Sequence, residues 1–294
     1  MRKRVCIITG ANSGIGKAAA AQIMDEGVHV IMACRNKERG SSALQELLTV
    51  HTERSGELML VDMGEQNSIR TFAEKVKDSY PIIDVIIHNA ASFDISQKSP
   101  IKTSDGIESI WATDHIGPVL LTELLLQNIK ASDDGRIITV ASKGLIIKPR
   151  LKIDLEDPEF KNRRFSVSNA YYQAKRAQII YTYYLSEQLK GTHVTTHCIR
   201  VTNVKIDISR YPDVSGFMRW LYSMKSKKSI TPEAMAKVYT HAAISPEMKG
   251  CTGSYIDEQK REVRSVPYTY DTDVQKQVMQ LTSTYAPELK KLIG

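Results

Sequence analysis

Cysteine is scarce in this chain, and the four present lie far apart. Cys6, Cys34, Cys198 and Cys251 form no CxxC pair. Neither a zinc site nor a disulfide framework is supported, and a reducing compartment is expected. No apolar run is long enough to cross a bilayer. The opening "MRKRVCIITG" is basic but lacks a signal-peptide core. The expectation is a soluble, cytoplasmic chain that starts directly at its first strand, with peripheral membrane association left open. Repeats, low-complexity tracts and linkers are absent, so 1–294 is read as one domain. No motif for reading nucleic acid is visible. The formal charge of +7 favours anionic ligands or surfaces but is modest for 294 residues.

Against these absences stands a regular alternation. Strand-like runs cover Arg4–Thr9, Val28–Ala33, Glu57–Val61, Ile83–His88, Arg136–Ala141, His193–Ile199 and Gly253–Ile256, with helical spacing between them. Most are continuously apolar, as strands covered on both faces are. Such βα alternation predicts an α/β chain with a doubly wound, Rossmann-type parallel sheet.

The first strand stops in "TGANSGIG", where Gly10, Gly14 and Gly16 lead into Ala18–Ala21. A glycine turn lets backbone N–H groups approach a phosphate. The helix behind it offers further unpaired N–H groups and a positive dipole end. A plain connecting turn is the simpler alternative, but the strand–turn–helix context favours a dinucleotide site. The second strand, "HVIMAC", is followed by Arg35 where an acid would bind the ribose hydroxyls of NAD. A basic residue there accommodates a 2′-phosphate, and Lys17 is near enough in sequence to help, so NADP(H) is expected over NAD(H). Asp62, ending "LMLVD", either binds the adenine amine or caps the next helix.

In "NAYYQAKRAQII", Tyr171 and Lys175 share a helix face one turn apart. An ammonium beside a phenol favours the phenolate and adjusts it for proton transfer. Ser142, in "IITVASKG", stands where it can hold a substrate oxygen. Tyr172 with Arg176 has the same spacing but points about a hundred degrees away.

Together these stretches resemble the short-chain dehydrogenase/reductase family, in particular the branch that includes retinol dehydrogenases. The resemblance runs from "TGANSGIGK", "ACRN" and "HNAA" through "DHIGPVLLTELLL", "IITVASKG" and "YYQAK" to "SPEMKGCTGSYI". It implies a seven-stranded parallel sheet in a three-layer sandwich, with Ser142 orienting the substrate carbonyl and Tyr171 as acid/base. It implies that Lys175 binds the nicotinamide ribose and lowers the tyrosine pKa. It also implies a homodimer or homotetramer. The cofactor-binding set expected on this reading is Gly10, Asn12, Ser13, Gly14, Ile15, Gly16, Arg35, Asn36, Asp62, Met63, Asn89, Ala90, Tyr171, Lys175 and Val204.

Three positions depart from the family pattern. His88-Asn89-Ala90-Ala91 replaces NNAG, Asp114 replaces an asparagine, and Val201-Thr202 replaces a Pro-Gly pair beside the nicotinamide. Thr202, Asn203 or Val204 is left to meet the carboxamide. Asp114 falls on the apolar stripe of Ile107, Ile110, Trp111, Leu121, Leu124 and Leu125. A buried carboxylate is costly unless paired. It is either solvated at a kink near Pro118 or close to Lys175, where it joins the catalytic set and keeps Tyr171 protonated.

The 26 residues from Lys143 to Ser168 form a long connection, often a mark of function. Phe217, Trp220, Leu221 and Met224 form an apolar helical stripe within 205–230, followed by Lys225, Lys227 and Lys228. The expectation there is a substrate lid, ahead of a plainly packed helix and then a helix touching an anionic membrane. The sequence thus predicts an NADP(H)-dependent reductase of a lipophilic ketone or aldehyde, with a small carbonyl or alcohol as partner and no metal or nucleic acid. The second reading is a catalytically weak NADP(H)-binding protein acting as a redox sensor or interaction module.

Overall fold

A computed structural model of the chain describes residues 2–205 and 229–293. The body of the expected lid lies outside the described residues.

Seven strands form one parallel sheet: β1 (Val5–Thr9), β2 (His29–Cys34), β3 (Ser55–Leu60), β4 (Val85–Ile87), β5 (Gly135–Ser142), β6 (Val194–Val201) and β7 (Ser254–Ile256). Their order is β3-β2-β1-β4-β5-β6-β7. The chain starts mid-sheet, builds outward to β3, then returns beside β1 and builds the other way. Past the carboxyl ends of β1 and β4, the connections diverge and leave a crevice, the usual ligand site of such sheets.

Helices cover both faces. α1 (Gly14–Asp25), α2 (Lys37–Val50) and α7 (Pro232–Ile244) pack on one face around Ile23, Leu47, Met235 and Tyr239. α3 (Gln66–Ser79), α5 (Gly117–Lys130), α6 (Val167–Gln188) and α8 (Thr272–Ser283) pack on the other around Phe72, Leu121, Ala174 and Met279. β1 and β4 are fully buried because both faces are covered. β3 is the exception to the continuously apolar strands: as an edge strand it is half-buried up to Met59 and exposed at Leu60.

Two boundaries differ informatively from expectation. β4 is only three residues long, so His88 lies beyond it. β6 runs on to Val201, which pairs directly with Ser142. A proline in that position has no N–H for a ladder and would favour an earlier end; valine lets the ladder close.

The helix carrying Asp114 is interrupted. α4 (Ser109–Trp111) gives way to a π-helical turn over Ala112–Ile116, and α5 resumes at Gly117. Pro118 cannot donate to the Asp114 carbonyl four residues back, and its ring would clash there. The helix relieves this by widening, and Gly117 N–H reaches back to the Ala112 carbonyl. Gly117 is required for another reason: a Cβ there would stand 2.1 Å from the Met63 carbonyl.

Candidate active site

The glycine turn occupies the crevice. Gly10 and Gly14 have φ of +67° and +55°, conformations that side chains resist. A Cβ on Gly16 would lie 2.5 Å from Asn89 Nδ2 and 2.7 Å from the Gly10 carbonyl, so α1 approaches the end of β4 as only glycine allows. Ser13 precedes α1 without capping it through its side chain. The first N–H groups of α1 therefore have no side-chain acceptor from their own cap and are available to an anion. These residues fit a dinucleotide: a positive-φ turn, a close backbone approach and an uncapped helix start all open on one crevice. Asn12, Ser13 and Ile15 are partly buried around that turn.

Asn89 ties the crevice together. Its Nδ2 donates to the carbonyls of Thr9 (2.9 Å) and Gly10 (3.3 Å), and the Ala90 N–H donates to Thr9 Oγ1 at 3.0 Å. Ala91, in place of the family glycine, is not among the residues with positive φ, so alanine is unstrained there. His88 lies away from the crevice; buried, it meets Thr122 Oγ1 at 2.7 Å, and burial lowers its pKa to about 3, leaving it neutral.

Arg35 follows β2 with its side chain 79% exposed, 3.6 Å from Asp62 Oδ2. Asp62 does not cap α3. Its Oδ1 accepts from the Gly64 N–H at 2.9 Å, while the first N–H of α3, Gln66, donates to Asp105. Asn36 caps α2 by accepting from the Arg39 N–H at 2.8 Å. Lys17 is engaged elsewhere, 2.5 Å from Glu46 on α2. Met63 is buried in the core, its carbonyl against Gly117. Val204 pairs with Ile230 in a short bridge that, like Ile15, packs against the core on the α1 face, and the exposed Asn203 offers its carbonyl to the Ile230 N–H.

The chemical groups meet where β5 and α6 face each other. Lys175 Nζ lies 3.2 Å from Asp114 Oδ2, with the two side chains 3% and 0% exposed. The other carboxylate oxygen accepts from the Ser92 N–H at 2.6 Å. The Ser92 N–H and the Lys175 ammonium thus give the buried carboxylate its partners. Burial disfavours the Lys175 charge, but Asp114 and Tyr171 outweigh it and raise its pKa, so the ammonium persists. Lys175 Nζ is 5.5 Å from the Tyr171 ring centre. Burial raises the Tyr171 pKa above 10, Lys175 and Ser142 oppose the rise, and Asp114 adds to it. Tyr171 is therefore protonated at neutral pH.

Two aromatic neighbours of Tyr171 complete the wall. Phe93 packs on its ring at 4.5 Å and Tyr172 at 5.4 Å. Sequence reasoning missed Ser92 and Phe93; their place directly after "HNAA" is the one signal that could have found them. Tyr172 and Arg176 turn out to hold the connection between β5 and α6. Tyr172 packs against Gly144, where a Cβ would come within 2.1 Å of its hydroxyl oxygen. Arg176 donates to the carbonyls of Lys148, Pro149 and Leu151. Gln173 adds bonds to Pro158, Asp154 and Arg163. The connection is thus pinned to α6, and Ile147 within it is 78% exposed.

Residues 4–147 match the family model described as short chain dehydrogenase. Over 304 aligned positions the chain is 30% identical to retinol dehydrogenase 14 of Homo sapiens, covering 99% of this chain and 88% of that one. The chain belongs to the short chain dehydrogenase family. Among its relatives it lies with the retinol dehydrogenase-like branch of this oxidoreductase family, whose members use a nicotinamide cofactor. Two solved structures share the fold. A protein of uncharacterised function from Mycobacterium Paratuberculosis has a TM-score of 0.71 at 24% identity, covering 96% of this chain and 92% of its own. A protein from Escherichia coli CFT073, described as a short chain dehydrogenase and solved with NADPH, has a TM-score of 0.66 at 19% identity, covering 88% and 98%. No helix among the described residues of this short chain dehydrogenase is long and apolar enough to cross a membrane.

Proposed function

We propose that the protein is an NADP(H)-dependent oxidoreductase that reduces a lipophilic ketone or aldehyde to an alcohol. The observation that carries this reading is the Ser142, Tyr171, Lys175 and Asp114 cluster, in which burial and the Asp114 charge push the Tyr171 pKa up. Arg35, exposed at the end of β2 in place of the ribose-binding acid, supports the phosphorylated dinucleotide, as does the NADPH in the Escherichia coli neighbour.

The site residues divide the work. Gly10, Gly14 and Gly16 bring backbone N–H groups to the pyrophosphate, Arg35 takes the 2′-phosphate, and Lys175 holds the nicotinamide ribose. When bound, the dinucleotide supplies the hydride for the carbonyl carbon. Ser142 and Tyr171 hold the carbonyl oxygen, and Tyr171 gives it a proton as negative charge develops. Asp114 neutralises part of the Lys175 field at Tyr171. A less acidic phenol starts protonated, which suits reduction better than oxidation. Phe93 with the exposed Ile146 and Ile147 supplies an apolar approach for a lipophilic substrate.

A second reading is supported by the ion pair that already engages Lys175 and by the β6 ladder that continues through Val201: a dinucleotide-binding protein with little turnover. Titration with NADPH and NADH, followed by turnover of lipophilic aldehydes by wild type and Tyr171→Phe, decides between them. NADPH preference with turnover lost in Tyr171→Phe supports the reductase. NADPH binding with no turnover in either protein supports the second reading, and binding of neither dinucleotide overturns both.

A further inference from the structure

We infer that the Tyr239 hydroxyl, on α7, positions the glycine turn for the dinucleotide through Asn89; the inference rests on the dinucleotide reading above. Tyr239 is fully buried, 150 residues from Asn89 in sequence, and its hydroxyl donates to Asn89 Oδ1 at 3.2 Å. The amide nitrogen of the same side chain donates to the Thr9 and Gly10 carbonyls. These three partners decide which way the amide faces. Turned over, its oxygen would oppose two carbonyls, and its nitrogen would replace the acceptor of the Tyr239 proton.

The amide is also sterically wedged. Its nitrogen stands where a Cβ on Gly16 would come within 2.5 Å, so Asn89 touches both the beginning of the turn and the start of α1. Displacing it moves the backbone N–H groups that a pyrophosphate meets. Close packing carries such a shift instead of absorbing it.

The hydroxyl is separable from the ring. The ring belongs to the apolar core between α7 and the sheet. α7 is independently joined to α1, since Gln22 donates to the Glu233 carbonyl at 2.9 Å and accepts from Thr240 at 3.1 Å. Removing only the hydroxyl leaves those contacts and strands the Asn89 oxygen without its donor.

The test compares wild type, Tyr239→Phe, Asn89→Ala and the double variant. It reads NADPH affinity by nicotinamide fluorescence and, without ligand, amide hydrogen exchange over residues 9–16. Tyr239→Phe is expected to weaken NADPH about 3- to 10-fold, the loss of one buried hydrogen bond. Exchange over the turn should quicken while α7 exchanges as before. In the Asn89→Ala background Tyr239→Phe should add nothing. Lower thermal stability with unchanged affinity and turn exchange would overturn the inference, as would fully additive losses. Should Asn89→Ala not fold, Asn89→Ser takes its place. Wild type that binds neither dinucleotide would sink the functional reading itself, whereas exchange in the ligand-free protein still shows whether Tyr239 holds the turn.

Discussion

The two sides of the crevice are built by different means. Beside β1 and β4 the site is mostly backbone: a positive-φ turn, an uncapped helix start and glycines where a Cβ does not fit. Beside β5 and β6 it is mostly side chains, with Lys175, Asp114 and Tyr171 buried together and a connection held by Tyr172, Gln173 and Arg176. Backbone sites depend on a few small residues and tolerate variation elsewhere. Side-chain sites depend on pairs that must be present together, because a buried charge without its partner is costly. The two sides should therefore fail differently when altered.

Tyr171→Phe should show the largest effect. Steady-state kinetics should give a kcat/KM lower by about 10²- to 10⁴-fold, the worth of a positioned acid, with NADPH affinity changed far less. Equal loss of binding would break the division between the two sides. Gly16→Ala should act the other way. Overpacking against Asn89 and Gly10 should cost about 1–3 kcal/mol in denaturant unfolding and weaken NADPH and NADH alike. Arg35→Ala should weaken NADPH by about tenfold and leave NADH untouched, as loss of one exposed charge-assisted contact would. Arg176→Met should release the β5–α6 connection and raise the carbonyl KM a few-fold at constant dinucleotide affinity.

Asp114→Asn should change the neutral-pH rate least, yet it sharpens the comparison most. The asparagine's single oxygen can accept from the Lys175 ammonium or from the Ser92 N–H but not from both, and it carries no charge. Asp114 raises the Tyr171 pKa, so removing its charge lowers that pKa. Reduction needs the protonated phenol, so its rate should begin to fall at lower pH than in wild type. A pH profile and direction preference identical to wild type would remove Asp114 from the chemistry.

Much of the backbone side was legible in the sequence. "TGANSGIG" carries its conformation in its glycines, because absence of a side chain is visible without a structure. The apolar strands similarly gave away a parallel sheet covered on both faces, and each expected strand is present within a few residues. The side-chain half was legible only where helical spacing brings residues together. Tyr171 and Lys175 lie one turn apart, and the stripe through Asp114 pointed inward. Tyr172 and Arg176, spaced identically, turned out to anchor a connection, since spacing specifies a shared face but not what that face meets.

The sequence by itself determined the alternating elements, the glycine turn, the tyrosine–lysine pair and the basic residue after β2, because each is written in local spacing or in residue type. Tertiary structure alone decided that Asp114 would meet Lys175, that Val201 would pair with Ser142, and that Tyr239 would reach Asn89 across 150 residues. Those contacts join distant segments, and their distances follow from how the layers pack, which no local pattern records.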